Sequence, residues 1–245
     1  MDKLLYIAMT GARETTFAQA KTAHNLANAS TTGFKADLAQ FRAMPAYGEG
    51  LPTRVFAMSE RPGHRLDAGN AITTGNDLDV AIRGEGWLVT QGKDGEELLT
   101  RRGDLKINAN GGLTNGLNQP IMGTGGPIVL PPFEKIDIAA DGTITIRPVG
   151  AQASEAAIID RIKLVNPQQA SISKNREGLF QSSEVEIFES DLNVKLHTGT
   201  LESSNVSVVE ELTNMIQLSR RFEVQVKLMS GVQERGQALD RLLQP

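Results

Sequence analysis

The feature that most limits the fold is the C-terminal segment VSVVEELTNMIQLSRRFEVQVKLMSGVQERGQALDRLL. Val208, Leu212, Met215, Ser219, Phe222, Val226 and Met229 recur at intervals of three and four, and Val209, Ile216 and Val232 widen the stripe. That period is helical. Ser207 followed by Glu210 has the spacing of a capping box. Glu210 and Glu211 fall where a helix dipole favours acids, and Arg220, Arg221, Lys227, Arg235 and Arg241 come later. A helix over about residues 207–242 is roughly 50 Å long at 1.5 Å per residue, which exceeds most globular helices.

The N-terminal end repeats the pattern weakly. Over residues 4–27, Leu5, Ala8, Ala12, Thr15, Gln19, Thr22 and Leu26 keep the three-and-four spacing, with Ile7, Phe17 and Ala18 beside them. The stripe is small and partly polar, so such a helix needs a tertiary partner. Next comes HNLANASTTGFKADL at 24–38, a polar break that turns the chain at Gly33.

No helical period survives between the ends. Residues 44–74 carry Pro45, Pro52, Pro62, Gly48, Gly50, Gly63 and Gly69, and read as an extended connector with short strands, such as one at 53–58. From residue 75, short apolar pieces alternate with turns: LDVAI, WLVTQ, ELLTR, LKINA, QPIMG and KIDIAADGTITI. Asp141-Gly142 is a strong hairpin signal between Ile136/Ile138 and Ile144/Ile146. Residues 156–165 read as one longer strand ended by Pro167, with further strands in LFQSS and NVKLHTG. The expected fold is therefore α+β: long terminal helices pairing in a coiled-coil-like domain, an extended connector, and a central, mainly antiparallel β domain. The expected divisions are 1–43, 44–74, 75–199 and 200–245.

Composition narrows the function. The chain has 245 residues, a net charge of −4 and only 4% aromatic residues, so its core rests on Leu, Ile, Val and Ala. This balance argues against a protein that grips nucleic acid by neutralising phosphates. Thiolate chemistry is excluded because cysteine is absent. The opening MDKLLYIAMTGARETTF has neither the basic leader nor the apolar core of a secretory signal, and no segment is apolar enough to span a bilayer.

Candidate chemistry is sparse. His24, His64 and His197 are scattered, without metal-ligand spacing. Asp77 and Asp79 would share a strand face and offer a carboxylate pair, but beside Gly75 and Asn76 they fit a turn better. NANG at 108–111 lacks the closing acid of a calcium loop. No catalytic residue, metal ligand or cofactor site is assigned. The rival readings are a binding module built on the β domain and a hydrolase using Asp77 and Asp79.

Three segments carry a resemblance: LANASTTGFK at 26–35, GNDLDVAIRGEGWLVTQ at 75–91 with TRRGDLKINANGGLTNGLNQPIMG at 100–123, and GTLESSNVSVVEELTNMIQLSRRFEVQVK at 199–227. In this order they resemble the axial proteins of the bacterial flagellum, the rod and hook group. Length and the opening MDKLLYIAMTGA are most similar to the proximal-rod members, with the distal-rod members as the alternative. The resemblance implies a structural subunit with terminal helices in an inner tube and a β-rich domain outside it. It also implies export by the flagellar apparatus without a cleaved signal, and ends that order on assembly. Its partners would be other rod subunits and the export apparatus, with no nucleic acid, small-molecule substrate or membrane insertion, and its place the periplasmic rod of the basal body. The residues expected at assembly interfaces are Leu5, Asn25, Leu26, Asn28, Gly33, Phe34, Asn205, Leu212, Ile216, Phe222 and Val226.

Overall fold

The computed structural model describes residues 3–45, 55–60, 63–150, 156–168, 172–175, 177–182 and 187–242. Gly48, Gly50, Pro52, Pro62 and the first two residues of the strand expected at 53–58 lie outside the described residues. The chain divides into two compact units: 1–29 with 36–65 and 206–245, and 30–35 with 66–205.

The first unit is built on two helices, α1 (Lys3–Ala27) and α2 (Val208–Leu242). They pack antiparallel, as three contacts along their length show. Thr15 Oγ1 reaches Gln225 at 3.2 Å, Gln19 Nε2 donates to Ser219 Oγ at 3.4 Å, and Asn25 Nδ2 donates to Glu211 at 2.8 Å. The buried stripe of α1 runs through Ala8, Gly11, Thr15, Ala18, Thr22 and Asn25, which alternates steps of three and four. On α2 the matching line is Glu211, Met215, Leu218, Phe222, Gln225, Met229 and Val232, with Leu218 and Val232 buried. Alternating steps of three and four make a heptad seam. In this one, the large side chains come from α2 and the small ones from α1. The seam departs from the stripe expected on α1: Phe17 is exposed, and Leu5, Gln19 and Leu26 are only half-buried. Small residues such as Gly11 carry no hydropathy signal, so the sequence pattern favours the bulkier flank.

α2 begins as its sequence suggests. The Ser207 carbonyl accepts the amide of Glu211, and Ser207 Oγ accepts that of Glu210. A hairpin completes the unit: β1 (Gln40–Pro45) pairs antiparallel with β2 (Val55–Glu60), and β2 packs on α1. The stretch expected to be an extended connector thus carries a strand pair that starts at residue 40. Pro45 stands at the last described position of β1, opposite Val55.

Among the described residues, the regular elements of the second unit are all strands. Its five-stranded sheet has the order β12 (Leu164–Val165), β5 (Trp87–Gln91), β6 (Glu97–Thr100), β14 (Phe180–Ser182), β13 (Ile172–Lys174). A three-stranded sheet is ordered β11 (Ala157–Arg161), β10 (Thr143–Pro148), β9 (Phe133–Ile138). Three pairs complete it: β3 (Ala71–Thr73) with β16 (Thr200–Glu202), β4 (Val80–Arg83) with β15 (Lys195–Thr198), and β7 (Lys106–Ile107) with β8 (Leu113–Thr114). All these pairings are antiparallel.

Alternation places Ile144 and Ile146 of β10 inward, with Ile136 and Ile138 of β9, Leu88, Ile121, Ile128 and Ile162. A smaller cluster joins Trp87, Val89, Leu99, Val165, Phe180 and Phe188. The single strand expected at 156–165 divides between two sheets. β11 leaves β10 where Thr143 faces Arg161, at the Gly142 turn, and β12 continues against β5. The fold is α+β, with paired terminal helices and a central antiparallel β unit.

Candidate assembly surface and chain-exit junction

On the helical unit, the seam uses only part of each helix's apolar surface. Leu212, Ile216 and Val226 lie off the seam on the exposed side of α2, with Val208 and Val209, whereas Phe222 stands in the seam line between Leu218 and Gln225 and keeps 37% of its surface exposed. Ile216 is 56% exposed and Val209 is 75% exposed. Val209, Leu212 and Ile216 stand three and four residues apart and share one flank of the helix. α1 exposes Tyr6, Met9 and Phe17, while Leu5 and Leu26 are half-buried. Large apolar groups gathered on a helix flank, rather than scattered singly, mark an interaction surface.

The end of α1 is organised by two asparagines. Asn28 caps it locally, its Nδ2 donating to the His24 carbonyl at 2.9 Å. Asn25 is buried and makes a reciprocal pair with the Asp37 backbone: its Nδ2 donates to the Asp37 carbonyl at 3.0 Å, and its Oδ1 accepts the Asp37 amide at 2.9 Å. The side chain of Asp37 lies between two imidazoles, with His24 Nδ1 at 3.1 Å from one oxygen and His64 Nδ1 at 2.9 Å from the other. The sequence scattered these histidines; the β-bridge between Asp37 and His64 unites them. No spacing rule predicts that meeting.

In the β unit, residues 30–35 form a second ordered feature. Gly33 has φ +65°, and its amide donates to the Glu202 carbonyl at 2.8 Å. The Phe34 carbonyl accepts the Asn205 amide at 3.3 Å, and Lys174 Nζ sits 4.0 Å above the Phe34 ring. Lys35 follows, with its side chain wholly out of solvent. Its Nζ donates to Glu202 Oε1 at 2.6 Å and to the Asp67 carbonyl at 2.7 Å.

Glu202 Oε1 also accepts the Gly69 amide, and its Oε2 accepts Arg101 NH1 at 3.0 Å. Arg101 in turn donates to the Gly84 carbonyl and lies 5.3 Å over the Trp87 ring. Asn205 Nδ2 donates to the Asp67 carbonyl at 3.0 Å. Two buried cations therefore share one buried carboxylate. Desolvation pulls the Lys35 pKa below the ordinary lysine value; Glu202 opposes that shift and Arg101 adds to it. Arg101 and Glu202 carried no sequence signal as a pair, although Lys35 and Glu202 each fall inside a segment that carried the resemblance.

Asp79 is buried at a turn and accepts Thr74 Oγ1 at 2.6 Å and Asn76 Nδ2 at 3.2 Å, so its carboxylate shapes the entry to β4. Asp77 is exposed in the same turn. Among the described residues, no group of three or more His, Cys, Asp or Glu side chains is placed to hold a metal ion. No described helix is long and apolar enough to cross a membrane.

Comparison with known proteins follows the same division of the chain. Residues 5–35 match the family described as flagella basal body rod protein, residues 81–146 the flagellar hook protein FlgE/F/G D1 domain, and residues 197–242 the flagellar basal body rod FlgEFG protein C-terminal. The flagellar basal-body rod protein FlgF of Salmonella typhimurium is 39% identical over 249 residues, covering 99% of both chains. FlgF of Escherichia coli is 38% identical over the same length and coverage. FlgG of Buchnera aphidicola subsp. Baizongia pistaciae is 31% identical over 268 residues, covering 99% of this chain and 100% of its own. These matches identify a structural axial subunit of the flagellar rod and hook group. The chain belongs to the flagellar basal-body rod protein family, within its FlgF/FlgG subfamily.

Proposed function

We propose that this chain is a subunit of the proximal rod, polymerising helically through the exposed flanks of α1 and α2 into a tube that transmits torque and surrounds part of the export channel. The observation that carries the reading is the Val209–Leu212–Ile216 flank, exposed on a helix already paired along another face. A helical polymer needs contacts in which one surface meets a different one on the next copy, and a helix with two apolar faces supplies both kinds. The proximal position rests on the identity to FlgF chains, 39% and 38%, against 31% to a FlgG chain. The partners are copies of this chain, related rod subunits and the export apparatus. The chain leaves the cytoplasm without a cleaved signal and acts in the periplasmic rod. The weak α1 seam suits that route, because ends that gain their burial from neighbours stay unfolded during passage.

The absence of cysteine makes the test direct. A single Ile216→Cys chain, produced in its own bacterium and treated in isolated basal bodies with a short maleimide–succinimidyl ester, which joins the thiol to a lysine of whichever surface faces it, should give cross-linked species containing this chain. Asp94→Cys, placed in an exposed β turn, serves as comparison. Basal bodies that lack the chain would overturn the reading. Its position is read separately: a proximal subunit stays in basal bodies from cells without the distal rod protein, and a distal one is lost.

A further inference from the structure

Every point at which the chain enters or leaves the β unit converges on Glu202. Residues 30–35 lead from the N-terminal end, residue 66 brings the chain back, and residues 202–205 lead to the C-terminal end. The Gly33 amide donates to the Glu202 carbonyl, Lys35 and the Gly69 amide bind the Glu202 carboxylate, Ser203 donates its amide to the Asn70 carbonyl, and Asn205 joins Phe34 to Asp67. The three segments are thus cross-linked at one buried anion.

We propose that this junction is a mechanical clasp, the element of the β unit that resists tension applied through the two chain ends. The direction of the chain supports it. The links Gly33 to Glu202 and Asn205 to Phe34 advance the same way along both segments. Pulling Ser30 toward the N-terminus and Asn205 toward the C-terminus therefore shears the segments rather than peeling them apart. Shear loads the links together, and the strongest are the charge-assisted bonds of Lys35 and Arg101 to Glu202, which no water competes for. The wider core around Ile144 lies off this path and contributes to equilibrium stability instead. The inference rests on the axial-subunit reading only for its setting, a part that carries torque.

The test is single-molecule pulling on the full chain, with handles on cysteines introduced at Lys3 and Gln237. The helix pair, whose tethered ends are adjacent, separates first, and the next event is opening of the β unit. With Lys35→Met, the lifetime of that second event at fixed force should shorten about tenfold or more, as loss of charge-assisted bonds from the first links to break implies. Its denaturant midpoint should fall only slightly, by less than that of Ile144→Ala. Asn205→Ala, which removes a link and no charge, should shorten the lifetime to a lesser degree. Ile144→Ala should lower the midpoint and leave the lifetime nearly unchanged. Unchanged lifetimes for both junction variants, or equal shortening by Ile144→Ala, would overturn the clasp. These outcomes do not depend on rod membership, which the basal-body cross-linking decides by itself.

Discussion

Glu202 Oε1 lies 2.6 Å from Lys35 Nζ while its Oε2 lies 3.0 Å from Arg101 NH1, so one carboxylate serves two cations in the interior. Removing either partner of the Lys35 pair should therefore have unequal effects. Glu202→Gln leaves both cations facing an amide and should cost about 3–5 kcal/mol, the usual penalty for uncompensated buried charge. Lys35→Met leaves Glu202 paired with Arg101, and the Asp67 carbonyl keeps Asn205, so its cost should be about 1 kcal/mol. Denaturant unfolding of the two variants, followed by Trp87 fluorescence, measures the difference. Equal losses would show that charge balance does not govern the site.

The same lysine sets a pH dependence. Its folded-state pKa is lowered, chiefly by desolvation, so the unfolded chain binds the proton more tightly. Between the lowered value and the ordinary 10.5, the unfolded state carries more protons, and stability must rise with pH across that window. Other groups titrate there too, so the quantity to measure is the stability of the parent minus that of Lys35→Met at pH 7, 9 and 10. It should increase toward alkaline pH. A flat or falling difference would contradict the assigned direction.

Gly33 meets two separate constraints. Its positive φ alone costs an alanine about 1 kcal/mol. A Cβ there would also stand 2.4 Å from the Arg101 backbone, which cannot move aside as a flexible side chain would. Overpacking of this kind adds about 1–3 kcal/mol. Gly33→Ala should therefore destabilise the β unit more than backbone strain explains, as a thermal melt would show. A loss of only about 1 kcal/mol would mean that residues 30–35 are not seated against Arg101.

Legibility in the sequence followed the physics of each element. The long helix announced itself through Val208 to Val232, because one period held over many turns. The Asp141-Gly142 hairpin was equally plain, since turn chemistry and isoleucine alternation agree there. Strand pairs such as β3–β16 were hidden because their pairing is remote and each strand is only three residues long. β1, exposed at every position, offered no alternation to read. At the candidate surfaces the sequence could nominate Ile216 or Gly33, but it could not reveal that Arg101 meets Glu202 or that His24 meets His64 across Asp37. Those encounters depend on topology, and no local spacing encodes them.

Leu218 and Ile216 are two residues apart on α2 and face opposite ways, one buried in the seam and the other 56% exposed. This separates folding from assembly. Leu218→Ala removes buried methyl groups from the helix pair and should cost about 2–5 kcal/mol when that pair is formed. Ile216→Glu places a charge on an already solvated face and should change the stability of the isolated chain by no more than about 0.5 kcal/mol. In an assembled rod the order reverses, because a carboxylate buried against a neighbouring copy has no partner to offset its desolvation. Ile216→Glu cells should therefore lose motility and incorporate little of the chain into basal bodies, although the purified protein melts like the parent. Leu218→Ala should show its loss in the purified protein first. Normal swimming and incorporation by Ile216→Glu would show that the Val209–Leu212–Ile216 flank stays in solvent, and the assembly surface would then have to lie elsewhere on the helices.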